Sequence, residues 1–265
     1  MRYAYAVTQA ETFSAVVRDA QPLIASLTNY ARWLETLGTI EEPRGIVFHD
    51  LASATTVFSD HVLPAWTNLS LIHLDPVIDD WKQIYLSALS PDMSGQTQAL
   101  GAEYYHSLDA LDIATIGAHE LTHHLHRFSD VPDQATWFEE GFCFYAPRKH
   151  LLPAARLSQL QQVERALIEA HEARLGGHPV WQFGFANTGG ECTDALFDYW
   201  RAIHTVSHLG ETYAHGDLKH LLTLFDQWKS QHEQTSRLDA FFIETLGISK
   251  DDQEALWLVE GTSQL

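Results

Sequence analysis

The chain has 265 residues and a formal net charge of −19 at neutral pH, from 35 acidic and 16 basic side chains. That balance argues against binding to nucleic acid or to an anionic membrane surface, both of which select basic faces. With 45% hydrophobic residues, eight Trp and thirteen Phe, the composition is that of a folded globular protein, and no apolar run reaches the length of a membrane span.

The N-terminus, Met1 to Gln9, lacks the apolar stretch of a secretory signal, and two cysteines, Cys143 and Cys192, make no disulfide framework. Both features point to a cytoplasmic protein. From Thr8 to Leu37 the apolar residues recur at helical spacing, with Pro22 marking a break or a fresh first turn and Gly38 the end. Gly45 to Asp50 is short, β-branched and turn-bounded, and predicts a strand. Ala54 to Phe58 reads either as a short strand or as a helical turn. Asn68 to Leu74 alternates at period two and is the best strand in the chain, closed by Asp75-Pro76. Residues 77 to 90 read as helix and Ser90 to Gln98 as a polar loop.

Leu108 to Phe128 predicts a helix, capped by Ser107 or Asp109, with acidic residues at its start and Arg127 at its end. Within it lies His119-Glu120-Leu121-Thr122-His123. Two histidines four apart on a helix turn their rings to one side, so both can bind one metal ion. Glu120 between them can lean over the open position of that metal and take a proton from water. The plain alternative is an amphipathic helix with two histidines on its buried face. His124 points elsewhere around the helix, toward solvent, and Gly117 permits either the approach of another backbone or close helix packing. Thr136 can cap a second helix starting at Trp137, and sixteen residues between His123 and Glu140 suffice to turn and come back. Glu140 is then the candidate third ligand of a catalytic zinc site, one Zn2+ per chain, while Glu139 sits about 100° round the helix. Cys143 is a small buried residue or, less in keeping with its type, a thiolate ligand.

Beyond this point helices are predicted near 153–175, 192–209, 217–232, 237–246 and 251–259. Between the first two, Gly176 to Gly190 is an aromatic loop, folded onto the core or bordering a cleft. A few strands, a motif helix and a helical half predict an α+β fold: a small twisted sheet N-terminal to the HExxH helix, then a mostly helical C-terminal lobe. The expected organisation is a single domain over 1–265, with 1–106 as its α/β part and 107–265 as the motif helices and helical lobe.

HELTH followed by Trp137-Phe138-Glu139-Glu140-Gly141-Phe142 resembles the gluzincin zinc metallopeptidases, the peptidase MA-like group, firmly over residues 108 to 146 and in outline elsewhere. The resemblance implies a thermolysin-like catalytic architecture, zinc ligands at His119, His123 and Glu140, and Glu120 as general base in peptide hydrolysis. It implies an edge strand that pairs with an extended peptide or protein substrate, for which Asn68 to Leu74 is the candidate, a fully paired interior strand being the other reading of that segment. It also implies a Tyr or His donor for the oxyanion, which maps to Tyr199, with His204, His208 and Tyr213 competing and a structural tyrosine as the other reading. Where many relatives carry an acidic residue one turn after the ligand Glu, this chain has Phe144, so other groups must support the histidines. A non-proteolytic binding or regulatory protein on the same scaffold is the competing function, and hydrolysis of a non-peptide amide a third. An intact Glu120 and the lack of a fourth ligand favour the enzyme.

Overall fold

Val16, Ala20, Leu23, Leu27, Tyr30 and Leu34 recur at alternating intervals of four and three residues, and in the computed structural model they form the buried stripe of α1 (Phe13–Leu34). Pro22 lies inside this helix without ending it. Its ring is on the exposed side, so the carbonyl it leaves unpaired faces water, and the apolar stripe continues through it. The structure describes residues 1–58, 64–68, 70–184, 192–231, 233 and 235–259.

Four short strands form one mixed sheet in the order β1-β2-β4-β3. β1 (Tyr3–Ala6), β2 (Gly45–His49) and β4 (Leu71–Leu74) run parallel, and β3 (Ala65–Asn68) runs antiparallel to β4. The strand expected over Asn68 to Leu74 is thus a hairpin: Asn68 ends β3, and Leu69 lies outside the described residues. The Asn68 side-chain oxygen accepts from the backbone N–H of Ser70 (3.2 Å) and Leu71 (2.9 Å), which closes the turn. Among the described residues β4 is therefore interior, and β3, like β1 at the other end, is an edge strand. Between β2 and β3, the single turn α2 (Leu51–Ser53) runs into a π-helical turn over Ala54–Phe58, so the helical alternative holds there.

α3 (Ile78–Ser87) agrees with the helix expected after Asp75-Pro76. α4 (Gly95–His106) takes up part of the expected polar loop: Ser94 caps it, and Gly101, Tyr104 and Tyr105 are buried. α5 (Ala110–Thr122) carries the motif and stops six residues earlier than its periodicity suggests. Its continuation is drawn into pairing with another segment, since Ile40 and Leu125 form a β-bridge and Glu41 N–H donates to the His124 carbonyl (2.8 Å). α1 and α5 pack on each other and on one face of the sheet.

The remaining helices are α6 (Thr136–Leu151), α7 (Ala154–Leu175), α8 (Cys192–His208), α9 (Leu218–Gln231), α10 (Leu238–Leu246) and α11 (Lys250–Ala255). The chain divides into two units, neither of them one continuous stretch: Met1–Ser129 with Ala146–Leu160, and Asp130–Tyr145 with Gln161–Leu265. The first holds the sheet with α1 to α5. The second is helical and has an aromatic core, in which Phe138 stacks on Phe225 (centroids 5.0 Å apart) and Trp137 meets the edge of Phe242. The described part of the loop after α7 folds onto this second core: Val180 is buried and its N–H donates to the Trp257 carbonyl, and Gly184 N–H donates to Asp198. Residues 185–190 of that loop lie outside the described residues. No helix among the described residues is long and apolar enough to cross a membrane.

Candidate metal centre

Asp109 and Asp112 fix where α5 begins. The Asp109 carboxylate accepts from the N–H of Leu111 and Asp112, and Asp112 accepts in return from the Asp109 N–H (2.9 Å), a reciprocal cap. Asp112 is held further by Arg156, through Nε (3.1 Å) and Nη2 (2.6 Å), and by the Tyr104 hydroxyl (3.0 Å). The Arg156 guanidinium carbon lies over the Tyr104 ring, 4.1 Å from its centroid. Two residues before the motif, a Cβ at Gly117 would stand 2.8 Å from a Leu74 methyl and 3.1 Å from Leu27, so the glycine serves close packing against β4 and α1. At the far end, Thr122 Oγ1 donates to the Ala118 carbonyl (2.7 Å). A hydroxyl has one proton, so Tyr30 O–H must donate to Thr122 Oγ1 (2.7 Å), tying α5 to α1.

With its ends and faces fixed, α5 presents His119 and Glu120, 5% and 6% exposed, and the half-buried His123. The two imidazoles meet nearly at right angles, their Nε2 atoms 3.1 Å apart. Two imidazole nitrogens on one tetrahedral zinc, each bonded at 2.0–2.1 Å, stand about 3.3 Å apart, so the pair already has the bite of a chelate. The Glu120 carboxylate is 3.9 Å from His119 Nε2, beside the position the rings converge on. The candidate carboxylate is Glu140, on α6. One ligand atom each from His119, His123 and Glu140 lies within 4.8 Å of the other two. This is the group among the described residues able to hold a metal ion, and Cys143, buried on α6, is not part of it. Two neutral nitrogens and a carboxylate form a donor set suited to zinc in a catalytic rather than a closed structural site.

Within the second unit, Glu140 is placed by its neighbours on α6. Trp137, Phe138 and Phe142 are fully buried, and Gly141 lets α6 approach α8 until a Cβ there would meet the Ala202 carbonyl oxygen at 2.5 Å. The buried Trp137, Phe138, Phe142 and Cys143 fix the turns of α6 that carry Glu140. Tyr199, on α8, is half-buried and lies edge-on to Phe144 (5.9 Å) and Phe183 (5.1 Å). Of its competitors, His204 lies beside Trp257, its pKa pushed down to about 4 by burial and then by the charge of Arg165. His208 lies 3.5 Å from Asp252, which also accepts from the Tyr213 hydroxyl.

The expected exposure of His124 is overturned. It is 7% exposed, and its ring nitrogens lie 2.9 Å from the Glu41 carbonyl and 2.8 Å from Thr67 Oγ1. Both partners are remote in sequence, and helix periodicity carries no signal for them. The grip of Arg156 on Asp112 is equally invisible in the motif. Comparisons with protein-family models, curated proteins and solved structures found no match for the chain.

Proposed function

We propose that the chain is a zinc-dependent hydrolase of peptide bonds, with the three-ligand layout of the gluzincins. The observation that carries this reading is the convergence of His119, His123 and Glu140 with Glu120 immediately alongside. A purely structural zinc has four protein ligands and no use for a general base, whereas a catalytic one keeps a position open. The chain's α+β order and the edge strand β3 beside the motif helix are in keeping with the same reading.

A zinc ion in this group polarises a carbonyl and lowers the pKa of water. Glu120 accepts the proton from the attacking water and returns it to the leaving amine, one carboxylate serving in turn as base and acid. His119 and His123 are held by the capped, packed helix, and Glu140 by the aromatic packing of α6, so the ligands reorganise little during turnover. The extended substrate lies along β3, beside whose outer backbone groups no strand lies among the described residues.

Glu120→Gln is the direct test. Tag-free protein carries about one zinc per chain, by elemental analysis, in the wild type and in this variant. Cleavage of a quenched-fluorescent peptide library drops by about a thousandfold or more, the scale of losing general-base catalysis. A variant cleaving at near wild-type rate would remove Glu120 from the mechanism. A wild type that binds zinc and cleaves nothing would favour a binding or regulatory protein.

A further inference from the structure

The ring of His124 closes a contact between three segments of the first unit, and its tautomer can be read from its partners. A carbonyl oxygen only accepts, so the nitrogen 2.9 Å from the Glu41 oxygen, Nδ1, carries the hydrogen. In a neutral ring Nε2 is then an acceptor, and of the three acceptors within reach of the single Thr67 Oγ1 proton it is the nearest, at 2.8 Å against 3.1 Å for the Asn68 carbonyl and 3.3 Å for the Leu71 carbonyl. The main chains are joined as well, Glu41 N–H to the His124 carbonyl (2.8 Å) and His126 N–H to the Thr39 carbonyl (2.9 Å). A rigid buried ring thus ties the end of the motif helix to the 39–41 segment on one side and to the edge strand on the other.

Thr67 occupies a particular place in that strand. The Asp75 N–H donates to the Pro64 carbonyl (2.7 Å), and the register pairs Trp66 with His73 and Asn68 with Leu71. In an antiparallel ladder the bonded pairs alternate, so the positions paired toward β4 are 64, 66 and 68. Ala65 and Thr67 therefore turn their backbone N–H and C=O toward the side on which no described strand lies. The residue whose side chain His124 holds is one whose backbone faces outward.

We propose that His124 is a positioning residue that, by gripping Thr67, sets the docking edge of β3 at a fixed height over the motif helix, so that an extended peptide laid along that edge meets the metal group in register. This rests on the peptidase reading. It differs from a general packing role because it acts through one hydroxyl, on the binding of long substrates alone. A backbone hydrogen bond from β3 is made equally in the ground and transition states, so its loss appears in KM and leaves kcat alone.

The test uses Thr67→Val, which removes the hydroxyl at nearly constant shape, alongside Thr67→Ser, which keeps it. With a quenched-fluorescent library of octapeptides as probe, Thr67→Val raises KM about tenfold with kcat and zinc content unchanged, and Thr67→Ser behaves as wild type. His124→Phe reproduces the effect, and its combination with Thr67→Val adds nothing further. Unchanged KM in Thr67→Val overturns the proposal. So does a loss of zinc or of kcat, because the contact would then be maintaining the metal group. A wild type that holds zinc and cleaves no peptide overturns the peptidase reading and the docking role with it. Unchanged amide exchange at Trp66 and His73 in Thr67→Val overturns the grip on the strand by itself.

Discussion

A methyl group at position 141 would stand 2.5 Å from the Ala202 carbonyl oxygen and 2.6 Å from a Val206 methyl. The first is backbone and cannot swing aside, so α6 and α8 must separate or bend to admit it. Gly141→Ala is therefore expected to lower stability by about 1–3 kcal/mol, the usual cost of forcing atoms into a packed interface. The better helix propensity of alanine offsets roughly 1 kcal/mol at most. Urea unfolding measures it, and a variant as stable as wild type would show that the helices part freely. The motif residues themselves were legible because their chemistry is local: four-residue spacing on a capped helix fixes which rings face together. His124 is buried where its place on the helix predicts exposure, since periodicity gives a direction around the helix and says nothing of Thr67 and Glu41, which fill that direction.

At the level of elements, the sheet has two unlike faces. Leu74 points toward α5 and α1, while His49 and His73 share the opposite face with Trp66, which stacks on His73 at 4.3 Å, and with Phe58. His49 is 0% exposed, and burial, then the neighbouring His73, pushes its pKa down to about 4. His73 is lowered by burial as well. Of the carboxylates facing them, Asp50 raises His49, but by less than burial lowers it. Burial raises Asp75 well above the carboxylate range, so it stays protonated, and Asp50, despite its burial, is kept low by hydrogen bonds from Ser53, Thr12 and Thr8. A histidine whose folded pKa lies below its unfolded value of about 6.5 leaves the unfolded chain holding the extra proton as pH falls. Its stabilisation is full above that value and is lost between about 6.5 and 4, whereas Asp75, raised, works in the opposite sense over the same range. The difference between two proteins isolates the histidine. Wild type should lose about 1.4 kcal/mol more per pH unit across that window than His49→Phe, and equal slopes by urea titration would sink the assignment. The hairpin feeding this face was hidden in the sequence because alternation from Asn68 to Leu74 runs unbroken across its turn. The turn-forming side chain of Asn68 was the available signal. α4 was hidden for a different reason: two glycines and mixed polarity blur its stripe, and only Ser94 with buried Tyr104 and Tyr105 mark it.

For the whole molecule, a net charge of −19 makes two kinds of cation binding hard to tell apart. Any divalent ion condenses weakly on so acidic a surface and relieves its self-repulsion, raising stability without a site. Screening separates the two. At half-molar salt the Debye length falls to roughly 4 Å, so the diffuse contribution disappears while ligand bonds to a metal persist. Raising salt alone should therefore increase the melting temperature by a few degrees, about the effect of 1 kcal/mol on a chain of this size. On that screened background, free zinc at a hundred times its dissociation constant should add about 2.7 kcal/mol, because it binds the folded state and not the unfolded one. Magnesium, which prefers oxygen ligands and octahedral geometry, should add almost nothing. Glu140→Ala should lose most of the zinc increment while keeping the whole of the salt increment, since one removes a ligand and the other depends on a charge that a single residue barely alters. Calorimetric melts of the two proteins, with and without zinc and salt, give all of these terms. If zinc and magnesium raise the melting temperature equally at half-molar salt, or if Glu140→Ala responds to zinc as wild type does, the ion is bound elsewhere on the acidic surface, and His119, His123 and Glu140 do not form its site.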